Sequence, residues 1–184
     1  MLFDEVITGR RSARRFRSAD VSDELVDGLL RLAVNAPSSM NGQPWEFVVV
    51  RDRSKLAELA AIKDRYCPPS KKNFPATMFE TAPLAIVICV DESSSNERGL
   101  ENAIFVTSYL MLAAYERGLS TVYLSAQYHR DPGLCQDIRQ LFRIPDHISP
   151  VSILPLGYPD ETPPEKIVRP PRVIREEYNL ERSK

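Results

Sequence analysis

Glycine is scarce in this chain, seven residues among 184, against fifteen prolines. No G-x-G-x-x-G and no G-x-x-x-x-G-K-S/T occurs, so neither the dinucleotide fingerprint nor a Walker loop is there to cradle phosphates. Cysteine is sparse as well: Cys67, Cys89 and Cys135 are odd in number, far apart and without a C-x-x-C. With only His129 and His147 besides, no metal-ligand spacing stands out. Unpaired thiols suit a reducing compartment, so a cytoplasmic location is expected. An excess of either charge is also missing: 24 basic residues face 25 acidic ones, which argues against nucleic acid or an anionic membrane surface as partner. No apolar run reaches transmembrane length, and Asp4, Glu5 and the arginines after them interrupt any signal core. Neither an internal repeat nor a linker is visible, and the length suits one domain with a proper core.

Hydrophobic spacing predicts helices over 2–9, from a Ser22 cap to about residue 35, from Ser54 through the KLAELAAI run, over 100–117 up to Gly118, and from an Asp131 cap with Pro132 to about Phe142. Strands are predicted at 46–50, 84–90, 119–125 and 151–156, the last ended by Gly157-Tyr158-Pro159. The 84–90 run is apolar throughout and reads as buried on both faces. The 100–117 helix is apolar around most of its circumference, which places it at the centre of the fold or in a subunit interface. Residues 63–75, with three prolines and Lys71-Lys72-Asn73, read as a loop and a candidate lid. The tail after residue 160 is too polar to fold alone, although REEYNLER within it is helix-like. Helices alternating with about four strands make one α/β layered domain, and so much apolar helix around a small sheet calls for a partner subunit.

Two stretches carry chemistry. Arg10-Arg11-Ser12-Ala13-Arg14-Arg15-Phe16 is dense in guanidinium groups, which bind phosphate bidentately, and Ser12 adds a hydroxyl donor. Taken alone it also reads as a solvated patch at a helix C-terminus, a nucleic-acid arm or a phosphorylation site at Ser12. The second stretch, Ala36-Pro37-Ser38-Ser39-Met40-Asn41-Gly42-Gln43-Pro44-Trp45, reads as a loop rich in turn formers. That reading leaves Gln43-Pro44-Trp45 ahead of a strand unexplained. Asn and Gln offer donors and acceptors together, a match for the alternating pattern along an isoalloxazine edge. Jointly the two stretches describe a site for a flat ring with a phosphate tail.

R-R-S-x-R-x-F followed about twenty-five residues on by A-P-S-S-x-N-x-Q-P-W resembles the FMN-dependent nitroreductase family. The resemblance covers nearly the whole chain, with Gly118-Leu119 and Pro155-Leu156-Gly157-Tyr158-Pro159 as further matches. It implies an α+β fold, a small mostly antiparallel sheet flanked by helices, in an intertwined homodimer with two sites at the interface. Residues 1–184 are then one nitroreductase-like domain, and 160–184 a C-terminal arm that embraces the partner. By the same resemblance Arg10, Arg11 and Ser12 grip the FMN phosphate and ribityl chain. Arg14 sits at the pyrimidine end and tunes the flavin. Ser38, Ser39 and Asn41 reach it from the neighbouring subunit; Gln43 belongs to the same motif, and Pro37 counts with them as cofactor-binding. Tyr123, Leu124 and Ser125 approach the ring, and Arg169 and Arg172 supply a second phosphate contact. No protein acid or nucleophile is required, because the cofactor carries the chemistry.

The chain departs from the family in two places. Ser120-Thr121-Val122 replaces a Gly-rich run, and Pro75 and Met78 fall where larger members have an Asn and a Lys near the ring; Lys71, Lys72 or Asn73 are alternative sources of that contact. The implied activity is hydride transfer from NADH or NADPH through flavin N5 to a small electrophile such as a nitroaromatic or quinone, in a ping-pong cycle. Alternatives on the same scaffold are dehalogenation, heterocycle dehydrogenation, consumption of the flavin, and FMN storage without turnover. Tyr66, Phe74 and Tyr128 are candidate walls of the acceptor pocket.

Overall fold

The alternation along residues 84–91 sets the architecture. In the computed structural model, which describes residues 1–67, 75–127, 132–163 and 166–175, this stretch is strand β2 (Leu84–Asp91). Ala85, Val87 and Cys89 face one core; Leu84, Ile86, Ile88 and Val90 face another. Successive strand residues point to opposite faces, so a strand apolar at every position needs a helical layer on both sides. One layer is α3 (Arg53–Arg65), α4 (Met78–Thr81) and α6 (Gly133–Phe142). It brings Leu56, Leu59, Phe79, Leu134 and Ile138 to the first core. The other layer is α2 (Asp23–Ala33) and α5 (Gly99–Glu116), bringing Leu29, Val106 and Leu110 to the second. Each fully buried Leu or Ile stabilises the fold by about 1.5–3 kcal/mol relative to its exposed state. A short helix α1 (Phe3–Gly9) precedes both layers.

The sheet runs β1 (Trp45–Val50), β2, β5 (Ile148–Gly157), β3 (Ser120–Thr121), with β4 (Leu124–Ser125) also on β5. Every pairing is antiparallel. The fold is therefore α+β, as expected, with five strands rather than four. The extra strand comes from the 119–125 stretch, which is interrupted at Val122 and Tyr123. Thr121 pairs Leu156 and Leu124 pairs Ile153, so one unbroken register puts Val122 opposite Pro155. Proline brings no N–H to a ladder, and the pairing lapses beside it. A bulge between Ile88 and Cys89 marks the level of Pro150 on β5.

Local signals account for the helix ends. Ser22 caps α2 by accepting from Leu25 N–H. The third helix starts earlier than Ser54: Asp52 is the cap, accepting from Ser54 N–H at 2.8 Å and Lys55 N–H at 3.1 Å. A carboxylate on two orphan donors at a helix start outcompetes a hydroxyl two residues later. The helix also continues to Arg65, so residues 63–65 are not loop as expected, while 68–74 lie outside the described residues. The last helix begins at Gly133 with Pro132 at the cap position; Asp131 lies outside the described residues. Gly118, at φ +75°, closes α5 in the left-handed conformation that spares glycine a Cβ clash. Residues 166–175 carry no secondary structure and are exposed; most of REEYNLER lies outside the described residues. Among the described residues no helix is long and apolar enough to cross a membrane.

Candidate functional site

The first chemistry-bearing stretch is laid across the end of the sheet. Ser12 bridges Thr121, Ala13 N–H donates to the Thr121 carbonyl at 3.2 Å, Phe16 bridges Pro159, and Arg17 N–H donates to the Tyr158 carbonyl at 2.9 Å. Ala13 and Phe16 turn into the core, which leaves Arg14 and Arg15 outward. Arg14 then overlooks a cleft of about 640 Å³ walled by Val122, Tyr123, Leu124 and Ser125, the interrupted edge of the sheet. Lys63, Asp64 and Cys67 from α3 and its end, with Ala76 and Met78, complete the lining.

Four sequence-predicted residues thus converge: Arg14, Tyr123, Leu124 and Ser125. Met78, which falls where larger members have a residue near the ring, also lines the cleft. Lys63 was missed. Its side chain is only 7% exposed, and Nζ donates to the Ser125 carbonyl at 2.5 Å, fixing a positive charge behind the cleft wall. The sequence reading puts Lys63 at the start of the 63–75 loop; the helix in fact runs on to Arg65, and only the tertiary fold turns Lys63 inward. Burial raises the proton affinity of the Tyr123 phenol, and it stays neutral over the ordinary range.

Arg10 and Arg11 divide the work between them. Arg11 Nη1 donates to the Thr8 carbonyl at 2.6 Å and the Arg10 carbonyl at 3.0 Å, closing the C-terminal end of α1. Arg10 Nη1 is shielded from solvent and has no hydrogen-bond partner among the described residues. A buried guanidinium donor without an acceptor is costly, and a phosphate oxygen is the kind of group that satisfies it. On this observation the residues fit a phosphate-bearing cofactor such as FMN.

The second stretch lies elsewhere. Its 3₁₀ turn (Ser39–Asn41) is tied to the start of α5: Ser39 N–H donates to Asn102 Oδ1 at 2.9 Å, and Asn96 Nδ2 to the Ser39 carbonyl at 3.1 Å. Gln43 N–H donates to Ser38 Oγ at 3.0 Å and Gln43 Nε2 to Asn41 Oδ1 at 2.9 Å. Met40, Asn41 and Gln43 all take left-handed φ, between 46° and 56°. Gly42 fits because a Cβ there would strike the Ser94 carbonyl. None of Pro37, Ser38, Ser39, Asn41 and Gln43 lines the cleft beside Arg14 within one chain. Arg169 and Arg172 also lie off the cleft, exposed on the tail. Tyr66 does not line this cleft; its hydroxyl donates to Asp137 at 3.1 Å. Phe74, Tyr128, Lys71, Lys72 and Asn73 lie outside the described residues.

The sequence profile of the nitroreductase family matches residues 7–158. A Methanothermobacter thermautotrophicus protein provisionally named NADH dehydrogenase/NAD(P)H nitroreductase is 34% identical over 161 residues, which span 86% of this chain and 78% of that protein. The solved FMN-dependent nitroreductase of Clostridium difficile R20291 superposes with a TM-score of 0.78 at 30% identity, over 90% of this chain and 92% of that one. Oxidised iodotyrosine deiodinase, solved with FMN and 3-iodo-L-tyrosine, superposes with a TM-score of 0.78 at 26% identity, over 97% of this chain and all of that one (100%).

Proposed function

Because the chain belongs to the nitroreductase family, we propose that this oxidoreductase works with FMN, as a homodimer, and passes hydride from NADH or NADPH to a small electrophile such as a nitroaromatic or a quinone. The observation that carries the flavin reading is the solvent-shielded, partnerless Arg10 Nη1. FMN, when bound, supplies the two-electron chemistry; the chain's own residues bind and orient it.

Arg10, with Ser12 beside it on the Thr121 bridge, holds the phosphate, and Arg11 secures the helix end that presents Arg10. Arg14 puts positive charge at the pyrimidine end, which favours the electron-rich state of the ring. Tyr123, Leu124 and Ser125 form the wall the ring lies against. Pro37, Ser38, Ser39, Asn41 and Gln43 serve the other subunit's flavin, which accounts for their distance from Arg14 along the same chain. The interface is supported by α5, where Leu100, Ile104, Phe105 and Tyr109 are 36% to 48% exposed. The tail beyond residue 160 is the arm that wraps the partner; Ile167 at 92% and Val168 at 72% exposure need such cover. Arg169 and Arg172 reach a phosphate only in that arrangement.

A second reading keeps FMN and changes the acceptor. The likeness to iodotyrosine deiodinase favours reductive dehalogenation of an aryl halide. One experiment separates the readings. The purified protein should be yellow, dimeric by sedimentation, and bleached anaerobically by NADH or NADPH. Recovery of colour with a nitroarene or quinone supports the first acceptor class, and recovery only with a halophenol supports the second. A colourless protein that takes up no added FMN overturns both.

A further inference from the structure

The segment that carries Arg14 is stitched to its neighbours residue by residue, with one exception. Ala13 N–H bonds the Thr121 carbonyl, Phe16 N–H bonds Thr81 Oγ1 at 3.2 Å, and Arg17 N–H bonds the Tyr158 carbonyl. The Arg15 carbonyl accepts from Asp160 N–H at 3.0 Å. Among the described residues neither Arg14 N–H nor Arg15 N–H has a backbone acceptor. A side chain fills the gap: Glu161 Oε1 accepts from Arg14 N–H at 2.5 Å and from Arg15 N–H at 3.3 Å. One carboxylate oxygen thus fixes two successive peptide groups under the guanidinium that overlooks the cleft. Bonds from N–H to an ionised acceptor are shorter and stronger than neutral ones.

We infer that Glu161 is a positioning residue for Arg14. It acts through the backbone of Arg14 and sets where its guanidinium stands against the cofactor's ring. The inference rests on the flavin reading of the cleft. Glu161 belongs to the root of the C-terminal tail, just past Pro159 and Asp160, so the fixing point of the flavin-tuning cation lies where the arm departs.

The test is a cycle of variants in FMN-loaded dimer, read as the flavin midpoint potential. That potential converts directly into the ratio of affinities for reduced and oxidised FMN. Arg14→Ala should reduce the preference for reduced FMN. Glu161→Ala should reduce it as well, on the order of fivefold. In the Arg14→Ala background, adding Glu161→Ala should change it by less than about twofold, since the effect runs through the same side chain. Glu161→Gln keeps an oxygen acceptor and should stay within about twofold of the parent. If Glu161→Ala does not retain flavin, Glu161→Ser replaces it in the cycle, a hydroxyl too short to reach both N–H groups. Independent, multiplying effects of the two sites, or a Glu161→Gln variant as impaired as Glu161→Ala, overturn the inference. So does an unchanged preference in Glu161→Ala when Arg14→Ala shifts it. A preference unmoved by Arg14→Ala itself overturns the flavin role of Arg14 as well.

Discussion

Truncating Arg10 to alanine should act in opposite directions on the empty and the flavin-loaded protein. The backbone is unaffected, because Arg10 N–H keeps its bond to the Val6 carbonyl at 3.1 Å. What is lost is the guanidinium, whose Nη1 is shielded and has no partner among the described residues. An unsatisfied buried donor costs about 1–3 kcal/mol. Removing it relieves part of that cost, against some lost packing of the side-chain stem. The empty variant should therefore melt at or above the parent's temperature.

In the proposed FMN complex the same group is assigned a charge-assisted bond to phosphate, worth about 1.5–3 kcal/mol. Its loss should weaken binding roughly 10- to 150-fold. Titrating apoprotein into FMN and following fluorescence quenching measures this. Melting supplies an independent reading. At FMN about 100-fold above the parent's Kd, ligand adds about 2.7 kcal/mol. In a variant weakened about 100-fold, the gain falls to ~0.4 kcal/mol. At about 2–4 °C per kcal/mol for a chain of this size, a shift of roughly 5–11 °C shrinks to about 1 °C. Riboflavin, which lacks the phosphate, should bind parent and variant alike. An Arg10→Ala protein that binds FMN within about twofold of the parent would refute the assignment.

Other outcomes follow from the scaffold. Thr107 Oγ1 and Ser152 Oγ lie 2.7 Å apart and fully buried between α5 and β5. Thr107→Val should cost about 1–3 kcal/mol by stranding the serine, and Thr107→Val with Ser152→Ala should recover most of it, as melting curves can check. Burial pushes the Cys89 thiol up to about 12, so native protein at pH 8.5 should resist alkylation at Cys89, and mass spectrometry after denaturation should find it modified. Hydrogen bonds from Ser54 and Lys55 hold the Asp52 carboxyl below the ordinary carboxylate range. A lowered folded pKa means stability present above the unfolded pKa and lost as pH falls through the folded one. Asp52→Ala should thus be less stable at neutral pH, with the difference from the parent narrowing on acidification below about pH 4.

Elements with a strong periodic signal were legible from residues alone. The all-apolar 84–90 run declared both core layers, and the greasy 100–117 helix declared a second apolar face, now visible as Leu100, Ile104, Phe105 and Tyr109. The Ser22 cap and the Gly118 stop were readable because each has one dominant local cause. The break at Val122 was not: its cause is Pro155 on another strand, and register is a tertiary property. The Asp52 cap was missed because Ser54 offers a rival cap two residues on, and bonding geometry decides between them. Of the site, Arg14 and Tyr123–Ser125 could be placed together, whereas Lys63 could not. A lysine near a helix end looks solvated until the strand it supports is known. Glu161 stayed hidden for the same reason, since its partners are 146 and 147 residues away.

The turn at Met40, Asn41 and Gln43 has a hereditary consequence. Asparagine tolerates a left-handed backbone, but Met40 and Gln43 hold it against their own preference, at about 1–3 kcal/mol apiece. Glycine at position 40 would ease the chain and raise its melting point, yet it would erase a thioether that projects 87% bare from the surface. Mutational drift through this turn is fenced on both sides: the stabler spellings lose the protruding apolar tip, and bulkier β-branched ones cannot adopt the turn. Such a loop should change slowly over generations even though its own chain leaves Met40 bare.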